Sequence, residues 1–170
     1  MKLSRLPLLI GIALAVVLPV RRWVVEPIYI ASASMEPTLP VGQHLFADKL
    51  TLSLRKIRRG DIIVFHPPLR EKGDLVKRVI ALPGESVELR DKELFINGLE
   101  MEEPYVRHTR AGERLEGDNL GPMIVPEGAL FVLGDNRDES KDSSVWRDVQ
   151  GTRIYFIPRR DVAGLVRGIY

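Results

Sequence analysis

The clearest indication of the fold is the segment Leu94-Phe95-Ile96-Asn97-Gly98-Leu99-Glu100-Met101. Two short apolar stretches flank the dipeptide Asn-Gly, whose residues readily adopt the positive φ angles that a two-residue hairpin turn requires. The segment therefore predicts two antiparallel strands joined by a tight turn.

Further strand-like segments lie on both sides of this hairpin. They are short, rich in apolar or β-branched residues, and bounded by turn residues; they comprise residues 61–65, 75–82, 86–90 and 129–133. Helical periodicity is weak after the N-terminal segment and appears only around residues 45–57. The pattern predicts a mainly β fold, an antiparallel sheet with barrel-like or sandwich character. Residues 84–128, where hairpin and loop signals are densest, are predicted to form a small inserted subdomain.

Length and composition favour one compact domain. The chain has 170 residues, of which 45% are hydrophobic, so it can bury a core. It contains no cysteine, which excludes thiol catalysis, disulfides and metal sites built on thiolates.

The N-terminal segment is predicted to be a membrane anchor. An uncharged run covers residues 6–20, with Lys2 and Arg5 before it and Arg21 and Arg22 after it. A span of the required length results if the second pair of arginines reaches the interface and the helix continues to about residue 25. A cleaved signal peptide is the alternative, because residues 31–33 read Ala-Ser-Ala, but this site lies 13 residues beyond the apolar run. We therefore assign residues 1–25 to an uncleaved anchor and residues 26–170 to the folded domain.

The distribution of charge does not indicate a nucleic-acid partner. Residues 1–22 carry four of the 25 basic residues and none of the 23 acidic ones, so the rest of the chain is slightly acidic. The basic segment 55–59 is interpreted as a solvated strand border, with contact to phospholipid headgroups as the alternative.

The three histidines, His44, His66 and His108, do not have the spacing of metal ligands. Each lies near polar or turn residues and is interpreted as a surface or hydrogen-bonded side chain. No metal and no organic cofactor is therefore expected.

Two features could carry nucleophilic chemistry. Ser32 and Ser34 lie among small residues at the end of an apolar segment, a pattern that is also typical of a turn. Lys77 interrupts the apolar strand 75–82, where a solvated edge lysine is the ordinary interpretation. If Lys77 were instead desolvated, its amine could be neutral and could take the proton of a nearby serine.

Four motifs, in order after the apolar segment, resemble type I signal peptidases, which are membrane-anchored Ser/Lys proteases. The matching stretches are Ser32-Ala33-Ser34-Met35-Glu36-Pro37-Thr38-Leu39, Arg59-Gly60-Asp61-Ile62-Ile63-Val64-Phe65, Lys77-Arg78-Val79-Ile80-Ala81-Leu82-Pro83-Gly84, and Gly134-Asp135-Asn136-Arg137-Asp138 with Ser140, Asp142 and Ser143. The resemblance covers nearly the whole chain, and the four motifs together are highly specific.

The resemblance implies a role for each matching residue. Ser34 would be the nucleophile and Lys77 the general base, with Ser140 orienting the lysine amine. The oxyanion hole would combine the backbone N–H of Ser34 with the hydroxyl of Ser32. The implied supporting charges are Arg78, Asp135 and Asp142, and the residues implied to line the substrate pockets are Ile28, Ile30 and Val76.

The resemblance also implies a substrate and a location. The enzyme would remove signal peptides from exported preproteins after A-x-A sites, because shallow apolar pockets admit alanine and exclude larger side chains. It would be a monomer with one membrane span in the cytoplasmic membrane, and its catalytic domain would face the extracytoplasmic side.

Several positions depart from the family pattern. Ala33 replaces the usual glycine and Glu139 the usual asparagine, while Ser144 stands where the family generally has arginine and Arg147 replaces a glycine. The family's arginine pairs with the residue that matches Asp142, so this carboxylate needs another partner here. Arg147 or Arg78 is the predicted replacement.

Two alternatives to a general signal peptidase remain. The departures fit a specialised maturation peptidase of the same family with a narrow substrate range. A catalytically inactive, membrane-tethered relative that binds exported peptides is the non-enzymatic alternative; in it Lys77 would titrate as an ordinary lysine.

Overall fold

The structure is a computed structural model that describes residues 5–68 and 73–168. Residues 1–4 of the predicted anchor and the side chains of Val20, Arg21 and Arg22 lie outside this description. Within the described ranges the helices are α1 (Leu6–Trp23) and α2 (Lys49–Leu54), with 3-10 turns at Ala33–Met35, Arg137–Glu139 and Arg159–Asp161. The strands are β1 (Val25–Tyr29), β2 (His44–Asp48), β3 (Ile62–Phe65), β4 (Leu75–Ala81), β5 (Ser86–Arg90), β6 (Glu93–Ile96), β7 (Leu99–Glu100), β8 (Leu120–Ile124), β9 (Ala129–Leu133), β10 (Ile157–Pro158) and β11 (Val162–Arg167).

The described strands form two antiparallel sheets. The larger has seven strands in the order β1-β2-β11-β3-β4-β9-β10, and the smaller has four in the order β7-β6-β5-β8. This confirms the prediction of a mainly β, antiparallel fold. Among the described residues the larger sheet stays open, with β1 and β10 at its edges, and does not close into a barrel.

The predicted hairpin is present in the smaller sheet. β6 pairs with β7 across Asn97 and Gly98, whose φ angles are +53° and +80°, as a primed turn requires. The predicted segments 61–65, 75–82, 86–90 and 129–133 correspond to β3, β4, β5 and β9. The smaller sheet lies within residues 84–128, and the division into an inserted subdomain stays a prediction.

The core has apolar clusters on both faces of the larger sheet. β3 is buried along its whole length, because Ile63 and Phe65 pack into one cluster while Ile62 and Val64 pack into another. The second of these clusters also holds Ile30, Met35, Leu39 and Leu45. It therefore fixes the chain before and after the serine-rich turn.

The smaller sheet packs against the end of β4 and against β9. Val87, Leu89, Leu94 and Ile96 share a buried cluster with Ile80 and Ala81 and with Phe131 and Leu133. This contact places the loops of the smaller sheet beside the segment that follows β9.

Helix α1 precedes the sheet and exposes its apolar side chains. The exposed fractions of its large, solvent-exposed apolar side chains run from 50% at Leu14 to 67% at Trp23. Among the described residues, no helix meets the combined length and hydropathy that a membrane crossing demands.

Candidate active site

Ser34 lies in the 3-10 turn that follows β1. The turn spans Ala33–Met35, and the backbone N–H of Leu39 donates to the carbonyl of Met35. Met35 and Leu39 are buried in the core, so the turn is held from below while Ser34 itself is only 6% exposed. The serine cluster therefore forms a turn, and this turn presents a buried hydroxyl.

Lys77 lies on β4, in the interior of the larger sheet between β3 and β9. Its side chain is buried, so the interpretation as a solvated edge lysine is wrong. Lys77 Nζ donates a hydrogen bond of 2.6 Å to Ser34 Oγ. Burial lowers the pKa of the Lys77 amine from 10.5 to about 8, although the charges of Asp142 and Asp135 oppose this shift.

Ser32 lies next to this pair on the exposed side of the turn. The Oγ atoms of Ser32 and Ser34 are 3.2 Å apart, so either hydroxyl can donate to the other. The structure therefore brings together the two hydroxyls that were predicted to act as nucleophile and oxyanion donor.

The segment after β9 packs against the back of the serine turn. The backbone N–H of Asn136 donates to the carbonyl of Ser34 at 3.1 Å, and its side-chain amide donates to the carbonyl of Ala33 at 3.2 Å. Sequence analysis did not assign this role to Asn136, although its position in the last motif marked it. Asn136 fixes the turn by binding its backbone.

Ser140 is buried in the same region, but it does not hold the lysine amine in this structure. Its Oγ has no hydrogen-bond partner among the described residues. A β-carbon built on Gly134 would lie within 3.0 Å of both Ser140 Oγ and the Ser34 carbonyl oxygen. Gly134 is thus required by the close approach of these two groups, and the role of Ser140 stays a prediction.

Arg78 and the buried carboxylate of Asp135 form a partly buried ion pair beside the turn. Arg78 donates to the carboxylate of Asp135 through Nε at 2.8 Å and through Nη2 at 2.6 Å. The hydroxyl of Thr38 donates to the same carboxylate, a contact that sequence analysis missed. The two-pronged geometry fixes both side chains, as arginine and carboxylate pairs do.

Asp142 is buried and is satisfied by short donors. Its Oδ2 accepts from the backbone N–H of Gly134 at 2.9 Å, and its Oδ1 accepts from the N–H and the hydroxyl of Ser144 at 3.0 and 2.8 Å. The prediction that Arg147 or Arg78 replaces the family's arginine is wrong. Arg147 lies on the surface and binds Glu116, and Arg78 binds Asp135.

A cavity of about 200 Å³ opens beside Ser34 and Lys77. Of the predicted pocket residues, Ile30 and Val76 line it. Ile28 is not among its lining residues and instead packs against the core cluster below the turn. The residues of the lining that were not predicted are Tyr29, Ala31, Met35, Asp74 and Leu75.

None of the three histidines is hydrogen-bonded to Ser34 or Lys77, although His44 and His66 contact Tyr29 and Asp74, which line the cavity. The ring of His44 packs against Tyr29, Nδ1 of His66 is 2.5 Å from Asp74, and Nδ1 of His108 is 3.3 Å from buried Asp138. In the part of the chain that the structure describes, no cluster of His, Cys, Asp and Glu could hold a metal ion.

A buried lysine amine hydrogen-bonded to a serine hydroxyl, beside a cavity in an antiparallel β fold, is the arrangement that Ser/Lys serine endopeptidases use. The family model described as "Signal peptidase, peptidase S26" matches residues 3–170. The chain belongs to this signal peptidase family.

Individual relatives agree with this assignment. The chain is 39% identical over 161 residues to signal peptidase I P of Bacillus subtilis subsp. natto, covering 88% of this chain and 86% of the relative. It is 40% identical over 168 residues to a probable signal peptidase I-1 of Synechocystis sp., covering 95% and 78%. The crystal structure of a signal peptidase I from Enterococcus faecalis V583 is 35% identical, with a TM-score of 0.50, and the match covers 66% of this chain and 98% of that one.

Proposed function

We propose that the protein removes N-terminal signal peptides from exported preproteins, with Ser34 as nucleophile and Lys77 as general base. The observation that carries these two roles is the 2.6 Å hydrogen bond between Lys77 Nζ and Ser34 Oγ inside a buried site. A neutral amine at this distance can accept the serine proton directly, because no rearrangement of the pair is needed.

The proposed reaction proceeds through an acyl-enzyme. Neutral Lys77 takes the proton of Ser34 as Oγ attacks the scissile carbonyl carbon, and the resulting oxyanion accepts hydrogen bonds from the Ser34 N–H and the Ser32 hydroxyl. The Lys77 ammonium then gives its proton to the leaving amine as the C–N bond breaks. A water molecule, deprotonated by Lys77, hydrolyses the ester and regenerates Ser34.

Four further residues have proposed supporting roles. Arg78 and Asp135 hold the segment after β9 against the serine turn. Asp142 fixes the backbone of the same segment by accepting from the N–H of Gly134. Ser140 is proposed to bind the Lys77 amine after the serine proton has moved, since its buried hydroxyl has no other partner among the described residues.

The cleft supports a preference for small side chains. The cavity has a volume of about 200 Å³, and the apolar side chains of Ile30 and Val76 form part of its wall. We propose that an extended substrate lies along the strand ends here and places alanine at the −1 and −3 positions. A larger side chain would meet the wall atoms.

We also propose that residues 1–25 anchor the enzyme in the cytoplasmic membrane as a single span, with residues 26–170 as a monomeric catalytic domain on the extracytoplasmic side. The apolar side chains of α1 are exposed, which supports a lipid environment for this helix. Retention of the full chain in carbonate-washed membranes and its digestion by protease added to spheroplasts are the expected results. Release by carbonate would contradict the anchor.

The central experiment incubates the detergent-solubilised full chain with a preprotein that carries an A-x-A site. Cleavage after the second alanine is expected for the wild type, with none for Ser34→Ala. Ser53→Ala is the matched control, because Ser53 is exposed on α2, distant in sequence from the cleft. Equal cleavage by the Ser34→Ala variant would remove the assignment of the nucleophile.

The substrate range needs a separate measurement. Cleavage of a panel of preproteins would distinguish a general signal peptidase from a maturation peptidase with a narrow substrate range.

A further inference from the structure

A short segment from the smaller sheet's long loop binds the segment that follows β9. We refer to residues 103–107, between β7 and β8, as the strap. The backbone N–H of Arg107 donates to the carbonyl of Asp135 at 2.8 Å, and the N–H of Arg137 donates to the carbonyl of Arg107 at 3.0 Å. Asn136 lies between Asp135 and Arg137 in the chain, and its backbone N–H donates to the carbonyl of Ser34. The segment after β9 therefore lies between the strap and the serine turn.

The strap is also held by a buried ion pair. Arg137 Nη2 donates to both carboxylate oxygens of Glu103, at 2.7 and 2.6 Å, and each side chain is less than 10% exposed. Arg137 Nε donates to the carbonyl of Gly134 at 3.2 Å. A pair that is desolvated on both sides resists displacement, because breaking it leaves a buried charge without a partner.

Tyr105 connects the strap to Arg78. Its hydroxyl donates to Glu103 Oε1 at 2.7 Å, and its ring lies under the guanidinium of Arg78, with 3.9 Å from Cζ to the ring centroid. The Arg78 side chain is only 11% exposed, so this cation–π contact is largely desolvated. The ring of Tyr105 thus covers one face of the Arg78 guanidinium, while the N–H groups at the edge of the guanidinium bind Asp135.

We propose that Tyr105 is a positioning residue for the Ser34–Lys77 pair, and that it acts by holding Arg78 against Asp135. This inference rests on the function proposed above. Tyr105 touches neither Ser34 nor Lys77 by hydrogen bond, and its effect passes through the ion pair that its ring supports.

The expected consequence is electrostatic. The groups that act on the Lys77 amine are the hydroxyl of Ser34 and the carboxylates of Asp135 and Asp142, and both negative charges favour the protonated amine. Arg78 compensates the charge of Asp135. If Arg78 moves into solvent, the field of Asp135 at Lys77 grows, and the amine binds its proton more tightly.

Tyr105 does not itself titrate in the relevant range. Burial, followed by the charge of Glu103, raises the pKa of its phenol. The phenol therefore stays protonated near neutral pH, so a shift in the pH profile of a Tyr105 variant does not come from the loss of an ionising phenol.

The test compares Tyr105→Leu with Tyr105→Phe in the detergent-solubilised full chain. Phenylalanine keeps the ring under Arg78, whereas leucine keeps apolar volume without a π face. In the Leu variant we expect the acid limb of kcat/KM to move to higher pH by about half a unit, which lowers kcat/KM at pH 7 about threefold. The Phe variant should keep the wild-type midpoint.

A second readout does not depend on activity. The Lys77 amine is titrated directly by the ¹³Cε resonance of isotope-labelled lysine, assigned with Lys77→Met, and the same upward shift is expected in the Leu variant only. Arg78→Lys, which retains the charge but not the planar stack, should shift the titration in the same direction and serves if the Leu variant does not fold.

Identical midpoints in the Leu and Phe variants would overturn the inference, even if both had lost turnover, because a purely structural role changes the amplitude of the profile and not its midpoint. Failure of the wild type to cleave an A-x-A preprotein would overturn the proposed function instead. The resonance titration would still decide the role of Tyr105.

Discussion

Lys77 Nζ lies 2.6 Å from Ser34 Oγ, although 43 positions separate the two residues in the chain. The core cluster under the serine turn and the interior position of β4 bring them together. Burial, which makes Lys77 costly for folding, is also what lets its amine act as a base near neutral pH.

The activity should rise with pH through the titration of Lys77. Its pKa of about 8 leaves about a tenth of the amine neutral at pH 7 and about nine tenths at pH 9, so kcat/KM should increase about tenfold between these values. Initial rates with a preprotein at low substrate concentration measure this limb. A flat profile, or a rise centred above pH 10, would contradict the assignment of Lys77 as base.

Lys77→Met should inactivate the enzyme and stabilise its fold. Because the pKa of Lys77 in the folded protein, about 8, lies below the ordinary lysine value of 10.5, the unfolded state binds more protons between these two pH values. The free energy of unfolding of the wild type therefore rises with pH in this window. Below pH 8 the protonated amine of Lys77 lowers this free energy by its full amount, about 3 kcal/mol. The variant should exceed the wild type by up to about that amount at pH 7, with a smaller excess as the pH rises above 8.

Urea unfolding at pH 7 and pH 10 measures this difference. Lys141→Met is the matched control, because Lys141 is exposed and its replacement should change stability by less than about 0.5 kcal/mol. A Lys77→Met protein that is less stable than the wild type at pH 7 would show that the buried amine does not lower the free energy of unfolding.

The strands that the sequence predicts are those whose own residues, or the turn residues next to them, indicate a strand. β3 is a short β-branched run between turn residues, and the positive φ angles that Asn97-Gly98 readily adopts predict the hairpin of β6 and β7. β11 was not predicted. It pairs with β2 and β3, about 100 residues earlier in the chain, and such a pairing is decided by tertiary packing rather than by neighbouring residues.

The same distinction applies to the site. Ser34, Lys77, Arg78 and Asp135 were named because their residue types and order form motifs, but the pairing of Arg78 with Asp135 was not predicted. The partners of Asp142 were not found, because one of its main donors is the backbone N–H of Gly134, a group that every non-proline residue carries. The predicted partner was the long side chain of an arginine, whereas the short hydroxyl of Ser144 binds the carboxylate.

Ser32→Ala should lower kcat without a comparable change in KM. The Ser32 hydroxyl, 3.2 Å from Ser34 Oγ, is proposed to bind the oxyanion, which exists only in the transition state and the intermediate. Loss of one such donor costs about 10²–10³ in turnover. Steady-state kinetics against Ser32→Thr, which retains a hydroxyl, give the comparison, and a Ser32→Ala enzyme with full turnover would exclude this donor.

Gly134→Ala should disrupt the site more than any other exchange of a glycine for alanine near it. The added β-carbon would fall within 3.0 Å of Ser140 Oγ and of the Ser34 carbonyl oxygen, one a buried side chain and the other backbone. Neither group can move freely, because Asn136 binds the Ser34 carbonyl and the core holds the turn. Overpacking of this kind costs about 1–3 kcal/mol of stability.

The effect on catalysis should be larger, because a shift of about 1 Å in a nucleophile can reduce turnover by about 10². Gly121→Ala is the matched control, since an added β-carbon at Gly121 on β8 has no heavy atom within 4 Å. Preprotein cleavage and urea unfolding of both variants separate the two effects. Cleavage by the Gly134→Ala enzyme at the rate of the Gly121→Ala control would contradict this prediction. It would show that the serine turn tolerates displacement, and that the close packing of residue 134 against Ser34 does not position the hydroxyl for attack.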